Sequence, residues 1–266
     1  MSAAPGQPGA VAADLLEGGA VLRVVFGRPR GNVLTMDLMR ELGVALDSHR
    51  DQPHLKLVAL RGSGGTFSYG ASVEEHRRAL APAMLETFHA LVRAVASYPV
   101  PVAALVEGRC LGGAFELALC CHFVFAAKSA VFACPEIKLG VFPPVLAAVG
   151  PQRLGAALAE RMLLTGEEAD AGALVPSGFV TALVGEGEDL EAALLAWYRD
   201  KLHGLSAFAL RQATRAARSA AGMDAGLDER LHALERHYCE QVLESHDGNE
   251  GIEAFLARRP PAWVDA

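Results

Sequence analysis

The chain has 266 residues, 52% of them apolar and 21% charged, a balance that excludes a disordered or coiled-coil polypeptide and suffices for one main domain with a modest appendage. A formal charge of -7 argues against a general nucleic-acid binder, whose surface must attract a polyanion. Five cysteines without a Cys-x-x-Cys pair, and nine scattered histidines without a His-Glu-x-x-His word, support neither a disulfide frame nor local zinc chemistry, so reduced thiols are expected.

In chain order, residues 1–19 read as a flexible tail lacking the basic n-region of a secretory signal and the basic face of a transit peptide, from which a cytoplasmic location is expected. Residues 20–26, rich in Val and Leu, predict a first strand that ends in the turn Gly27-Arg28-Pro29-Arg30. A helix follows over about 35–49, then a short strand over 55–60 running into the glycine-rich stretch 62–65. Met84, Leu85, Phe88, Leu91, Val92 and Val95 recur at the helical period and predict an amphipathic helix over 82–97, stopped by Pro99 and Pro101. A strand over 102–106 leads to Gly112-Gly113, a bend that starts a buried helix, and strand-like segments at 123–126 and 130–133 precede Pro135-Glu136. Strands alternating with helices predict an α/β core. Beyond Pro151 the pattern turns helical, with candidates at 154–164, 189–201, 207–220, 226–244 and 248–259. The domain reading is a tail over 1–19, a core over 20–203 and a C-terminal helical region over 204–266 that either covers the core or carries subunit contacts. The most apolar region, 100–127, is interrupted by Glu107, Arg109, Glu116 and His122, which fits a buried core with functional interruptions rather than a membrane span.

Two carboxylates stand out. Glu116 lies in LGGAFELALCC at 111–121, where burial raises a carboxyl pKa toward the range useful to an acid or base, although a structural Glu holding a backbone donor reads the same way. Glu136 follows an apolar strand and, taken alone, is an ordinary loop charge; paired with Glu116 it permits one group to activate water while the other manages a proton. Gly112-Gly113 at a helix start and the Tyr69-Gly70-Ala71 turn can each present a backbone N–H to a developing oxyanion, or be ordinary turn glycines. His76 is read as a solvated or capping residue or as a titrating contact in a site, and Cys110, Cys120, Cys121 and Cys134 as small packing residues.

The segments GTFSYGAS at 65–72, VEGRCLGGAFELA at 106–118 and FACPEIKLG at 132–140 resemble, in order, three signature regions of the enoyl-CoA hydratase/isomerase (crotonase) superfamily. The resemblance implies a repeated ββα spiral core, a C-terminal helical region that assembles trimers or dimers of trimers, and an acyl-CoA ligand with no cofactor beyond the CoA of the substrate. It places the oxyanion amides on Ala71 and Gly113, the hydratase glutamates on Glu116 and Glu136, and substrate contacts on Phe67, Ser68, Tyr69, Gly70, Gly112 and Phe142. FSYGASVEEH at 67–76 and PEIKLGVFPP at 135–144 are further similar to the cyclohexa-1,5-diene-1-carbonyl-CoA hydratases. Ser72 stands where ordinary short-chain hydratases more usually carry Asp, and Pro144 removes backbone freedom and an N–H where they are glycine-rich. The expected reaction is reversible hydration of an α,β-unsaturated acyl-CoA, with a cyclic dienoyl ester as one candidate substrate. The alternatives are an isomerase, another crotonase-type lyase, or a non-catalytic acyl-CoA-binding protein; neither a metal, a nucleic acid nor a membrane is expected as partner.

Overall fold

A computed structural model describes residues 10–185 and 187–266. Two short sheets run side by side and share their connections. The larger has six strands in the order β1-β2-β3-β4-β6-β9 and the smaller three in the order β5-β7-β8. In the larger, β1 (Val11–Leu16) is antiparallel to β2 (Val21–Phe26), and β3 (Leu57–Gly62), β4 (Val102–Val106), β6 (Phe123–Ala127) and β9 (Ala182–Val184) continue in parallel from β2. In the smaller, β5 (Arg109–Leu111) is parallel to β7 (Val131–Ala133), and β8 (Glu168–Asp170) is antiparallel to β7. Two turns of the chain each give one strand to the large sheet, one to the small sheet and then a helix, whereas the turns after β2 and β3 add only the isolated bridges Leu34–Ala71 and Ser68–Cys110. Thus β4 and β5 lead into α3 (Gly113–Leu119), and β6 and β7 lead toward α4 (Pro144–Leu154). This is the repeated ββα spiral that the signature segments imply.

Strand β4 reads Val-Ala-Ala-Leu-Val without a polar residue because both faces of the sheet are covered. Val102, Ala104 and Val106 face the main core beneath α1 (Met36–Asp47) and α2 (Ala81–Ala96), whereas Ala103 and Leu105 face a second core under Leu190, Leu194 and Tyr198 of α6 (Leu190–Lys201). Helix α1 starts where predicted, with the Thr35 hydroxyl accepting from the Leu38 N–H. Helices α7 (Ala207–Ala220), α8 (Ala225–His237) and α9 (His246–Leu256) close the chain; α8 packs on α4 and α2, and α9 packs on the single-turn segments at Val73–His76 and Pro135–Leu139. Helices α8 and α9 therefore lie against the core.

Three expectations change. The predicted tail over 1–19 is partly a strand: residues 1–9 lie outside the described residues, but Val11–Leu16 pairs with β2 through a tight connection in which Gly18 and Gly19 adopt positive φ. The helix expected over 154–164 is α5 (Ala156–Thr165), preceded by an unpredicted α4. Prolines masked α4, yet Pro144 sits in its first turn, where no donor is needed, and the helix absorbs Pro151 near its end. The segment expected to be one helix over 226–244 is α8 followed by a π-helical turn at Tyr238–Val242. No helix among the described residues is long and apolar enough to cross a membrane.

Candidate active site

Parallel register brings the three signature segments together. The Ser68 amide donates to Arg109 O (2.9 Å), Leu111 N–H donates back to Ser68 O (3.0 Å), and Gly112 N–H donates to Ala133 O (2.7 Å). Leu34 and Ser72 form the equivalent bridge around Ala71. As a result Ala71, Gly113 and Glu136 all emerge just past the ends of neighbouring strands. They meet at a cavity of about 70 Å³ lined by Tyr69, Ala71, Gly112, Gly113, Glu116, Glu136, Phe142 and Tyr238, with Met84, Leu85, Phe88 and Leu139 among its apolar walls.

Glycine is required at two of these positions. Gly70 has φ +92°, and a Cβ there would lie 2.5 Å from Leu111 O, so the two loops touch backbone to backbone. Gly112 has φ +50°, and its Cβ would fall 2.4 Å from Glu136 Oε1, so the absence of a side chain lets that carboxyl into the site. Gly113 is the first residue of α3. Its virtual Cβ would lie 3.5 Å from Ala71 Cβ, which puts the two loops that carry the expected oxyanion amides in contact. Among the described residues the Ala71 and Gly113 amides have no protein acceptor, which leaves both free for a ligand oxygen.

The two glutamates share the cavity but not the same environment. Glu116 is 3% exposed, and its Oε1 accepts from the amides of Val145 (2.7 Å) and Leu146 (3.0 Å), the first turn of α4. Burial raises its pKa to about 7 against the pull of those two donors. Glu136 is raised well above the usual carboxyl range, first by burial and then by the charge of Glu116, and its Oε2 is buried without a hydrogen-bond partner. Near neutrality the pair therefore holds a proton, and the helix-end amides favour leaving it on Glu136 and the charge on Glu116. That is the division of labour an acid and a base need in one site.

The remaining expected contacts divide. Tyr69 and Phe142 line the cavity. Phe67 and Ser68 do not; both are fully buried behind it, Phe67 edge-on to Phe26 at 5.3 Å and Ser68 Oγ accepting from Gly70 N–H (3.0 Å), so they shape the loop from below. His76 reaches the wall, with Nδ1 2.7 Å from Ser72 O, and burial lowers its pKa so that the ring stays neutral at pH 7. Cys110, Cys120, Cys121 and Cys134 are buried, and burial pushes the thiols of Cys120 and Cys121 up to about 12, as befits packing residues. Sequence reasoning missed Tyr238 and the wall residues of α2; Met84, Leu85 and Phe88 were visible only as the packing stripe of a helix.

Residues 17–266 match the family model of enoyl-CoA hydratase/isomerase. The chain is 38% identical over 245 residues to cyclohexa-1,5-dienecarbonyl-CoA hydratase of Thauera aromatica, covering 92% of this chain and 93% of that protein. It is 31% identical over 255 residues to carnitinyl-CoA dehydratase of Salmonella typhi, covering 94% and 97%. The crystal structure of an enoyl-CoA hydratase from Mycobacterium avium subsp. paratuberculosis superposes with a TM-score of 0.83 at 29% identity, covering 97% of this chain and 99% of that one. The chain belongs to the enoyl-CoA hydratase/isomerase family. Within it the protein is an enzyme of the hydratase-like lyase type, and the resemblance to the cyclic dienoyl-CoA hydratase extends over nearly the whole chain.

Proposed function

We propose that this enzyme reversibly adds water to a cyclic dienoyl-CoA ester of the cyclohexa-1,5-diene-1-carbonyl type. The observation that carries hydration is the pair of buried carboxyls on one cavity, one accepting from two helix-end amides and the other with a buried oxygen that has no partner. In this reading the Ala71 and Gly113 amides hold the thioester oxygen as it gains enolate charge. Glu116 takes a proton from water as the water oxygen bonds to the acyl group, and Glu136 delivers its proton to the carbon that completes the addition. With a conjugated ring the oxygen adds at the far end of the diene. The small cavity, lined by Phe142, Pro143, Pro144, Met84, Leu85 and Phe88, supports a compact acyl group. The relative from Thauera aromatica supports the same ring.

The reaction so written uses no metal or redox cofactor, CoA being part of the substrate. A trimer or dimer of trimers in the cytoplasm accompanies the reading. Its test is a mass-resolved turnover assay of the purified protein on cyclohexa-1,5-diene-1-carbonyl-CoA and crotonyl-CoA side by side. Water added to the cyclic ester supports the proposal. Water added mainly to the linear ester makes the protein a general enoyl-CoA hydratase, a product of unchanged mass makes it an isomerase, and binding without turnover overturns catalysis.

A further inference from the structure

Tyr238 opens the π-helical turn after α8, is 1% exposed and lines the same cavity as the two glutamates, yet its hydroxyl is buried without a hydrogen-bond partner. An orphaned hydroxyl alone is not a site: Tyr198 has one too, packed in the core under the large sheet. What singles out Tyr238 is its surroundings. Glu136, which lines the same cavity, carries a second orphaned polar atom in its Oε2, and the two groups do not bond to each other. Burial, followed by the charge of Glu136, keeps the phenol from ionising, so it remains both a donor and an acceptor at any working pH. The ring is fixed by Phe142, at 5.5 Å between centroids, and the backbone by the Leu243 N–H to Tyr238 O bond (3.0 Å) that makes the turn π rather than α. Such one-turn insertions recur at functional sites because they re-aim a side chain that a regular helix would turn away. By contrast Tyr98, buried in the main core, donates to Leu46 O (3.0 Å), the ordinary arrangement for a tyrosine with no ligand to meet.

We propose that Tyr238 is a third polar contact, beside Glu116 and Glu136, to the oxygen that is added to or lost from the acyl group. Water has two protons; with one directed at Glu116, the phenol oxygen accepts the other and so turns a lone pair toward the acyl carbon. After addition the oxygen keeps one proton, and the phenol donates to it instead. No proton is transferred to or from Tyr238. The role rests on the hydratase reading and deepens it, because it concerns the oxygen alone and not the thioester enolate.

The test separates those two parts of the chemistry. Exchange of the α-proton of butyryl-CoA with deuterium from solvent needs the backbone amides and a carboxyl but adds no water. In Tyr238→Phe, which changes the volume little, hydration turnover is expected to fall about tenfold, the loss of one hydrogen bond to a reacting group, while deuterium exchange stays at the wild-type rate and reports an intact site. Equal loss of both rates overturns the proposal by making Tyr238 a packing residue, and an unchanged hydration rate overturns it directly. A wild-type enzyme that exchanges deuterium but adds no water overturns the hydratase reading and with it this role, a result distinguishable because it appears without any substitution.

Discussion

Glu116→Gln separates what the carboxylate does for chemistry from what it does to the fold. Gln keeps an oxygen that can accept from the Val145 and Leu146 amides, now bonded at 2.7 and 3.0 Å, but cannot ionise. In the wild type the buried carboxyl moves from an ordinary 4.5 to about 7 on folding. Between those pH values the folded chain binds more protons than the unfolded one, so stability falls as pH rises from about 4.5 to about 7 and stays low above it. At about 1.4 kcal/mol per tenfold the interval corresponds to roughly 3 kcal/mol held against folding at pH 8. The variant escapes that loss and in return buries an amide N–H₂ beside the cavity, leaving an expected net gain of about 1–3 kcal/mol at pH 8 that vanishes near pH 4.5. Hydration turnover is expected to fall by about 100-fold or more. Urea unfolding followed by circular dichroism from pH 4.5 to 8.5, at one protein concentration, reads the first effect, and the turnover assay reads the second. Glu116→Ala is the control: it leaves both helix-end amides unpaired and is expected to be less stable than wild type at every pH. A Gln variant less stable than wild type at pH 8, or one that turns over at the wild-type rate, refutes the reasoning.

Further outcomes follow from the same geometry. The profile of kcat/KM against pH should be bell-shaped, rising through about pH 7 as Glu116 ionises and falling at higher pH as the raised Glu136 loses its proton; a flat profile from pH 5 to 9 contradicts the assignment. Gly112→Ala places a Cβ where Glu136 Oε1 now lies, at a φ of +50°, and is expected to cost about 1–3 kcal/mol in urea unfolding and to lower turnover about 100-fold in the protein that still folds. Gly113→Pro replaces an amide at the first position of α3 with a ring carbon where the thioester oxygen is held, so turnover should drop about 100- to 1000-fold and affinity for a saturated CoA ester, measured by calorimetry, should weaken as well, while the helix start tolerates proline.

Much of the architecture was legible along the chain because it is written in local periods. The strand at 102–106 and the helix at 207–220 appear where their apolar patterns place them, and the helices read from about 35 and 189 begin there, with Thr35 and Asp189 accepting from the Leu38 and Glu191 amides. Gly112-Gly113 before a buried Glu was enough to suggest an amide and a carboxylate at one helix start. The small sheet was not legible, because three-residue strands such as Arg109–Leu111 carry too little pattern to be distinguished from a bend. Nor was α4, whose prolines advertise a loop until their positions within the helix are known.

Sequence by itself therefore determined the longer strands and helices, which depend on residue type and short-range spacing, while the pair of carboxylates and the glycines beside them were assigned by the resemblance of three motifs. Tertiary structure alone decided that Glu116 faces the start of α4, that Glu136 keeps an unpaired oxygen, and that Tyr238 returns from the C-terminal region to meet both on one cavity. Such relations join segments far apart in the chain, and burial, which sets the protonation of the pair, arises only when those segments pack.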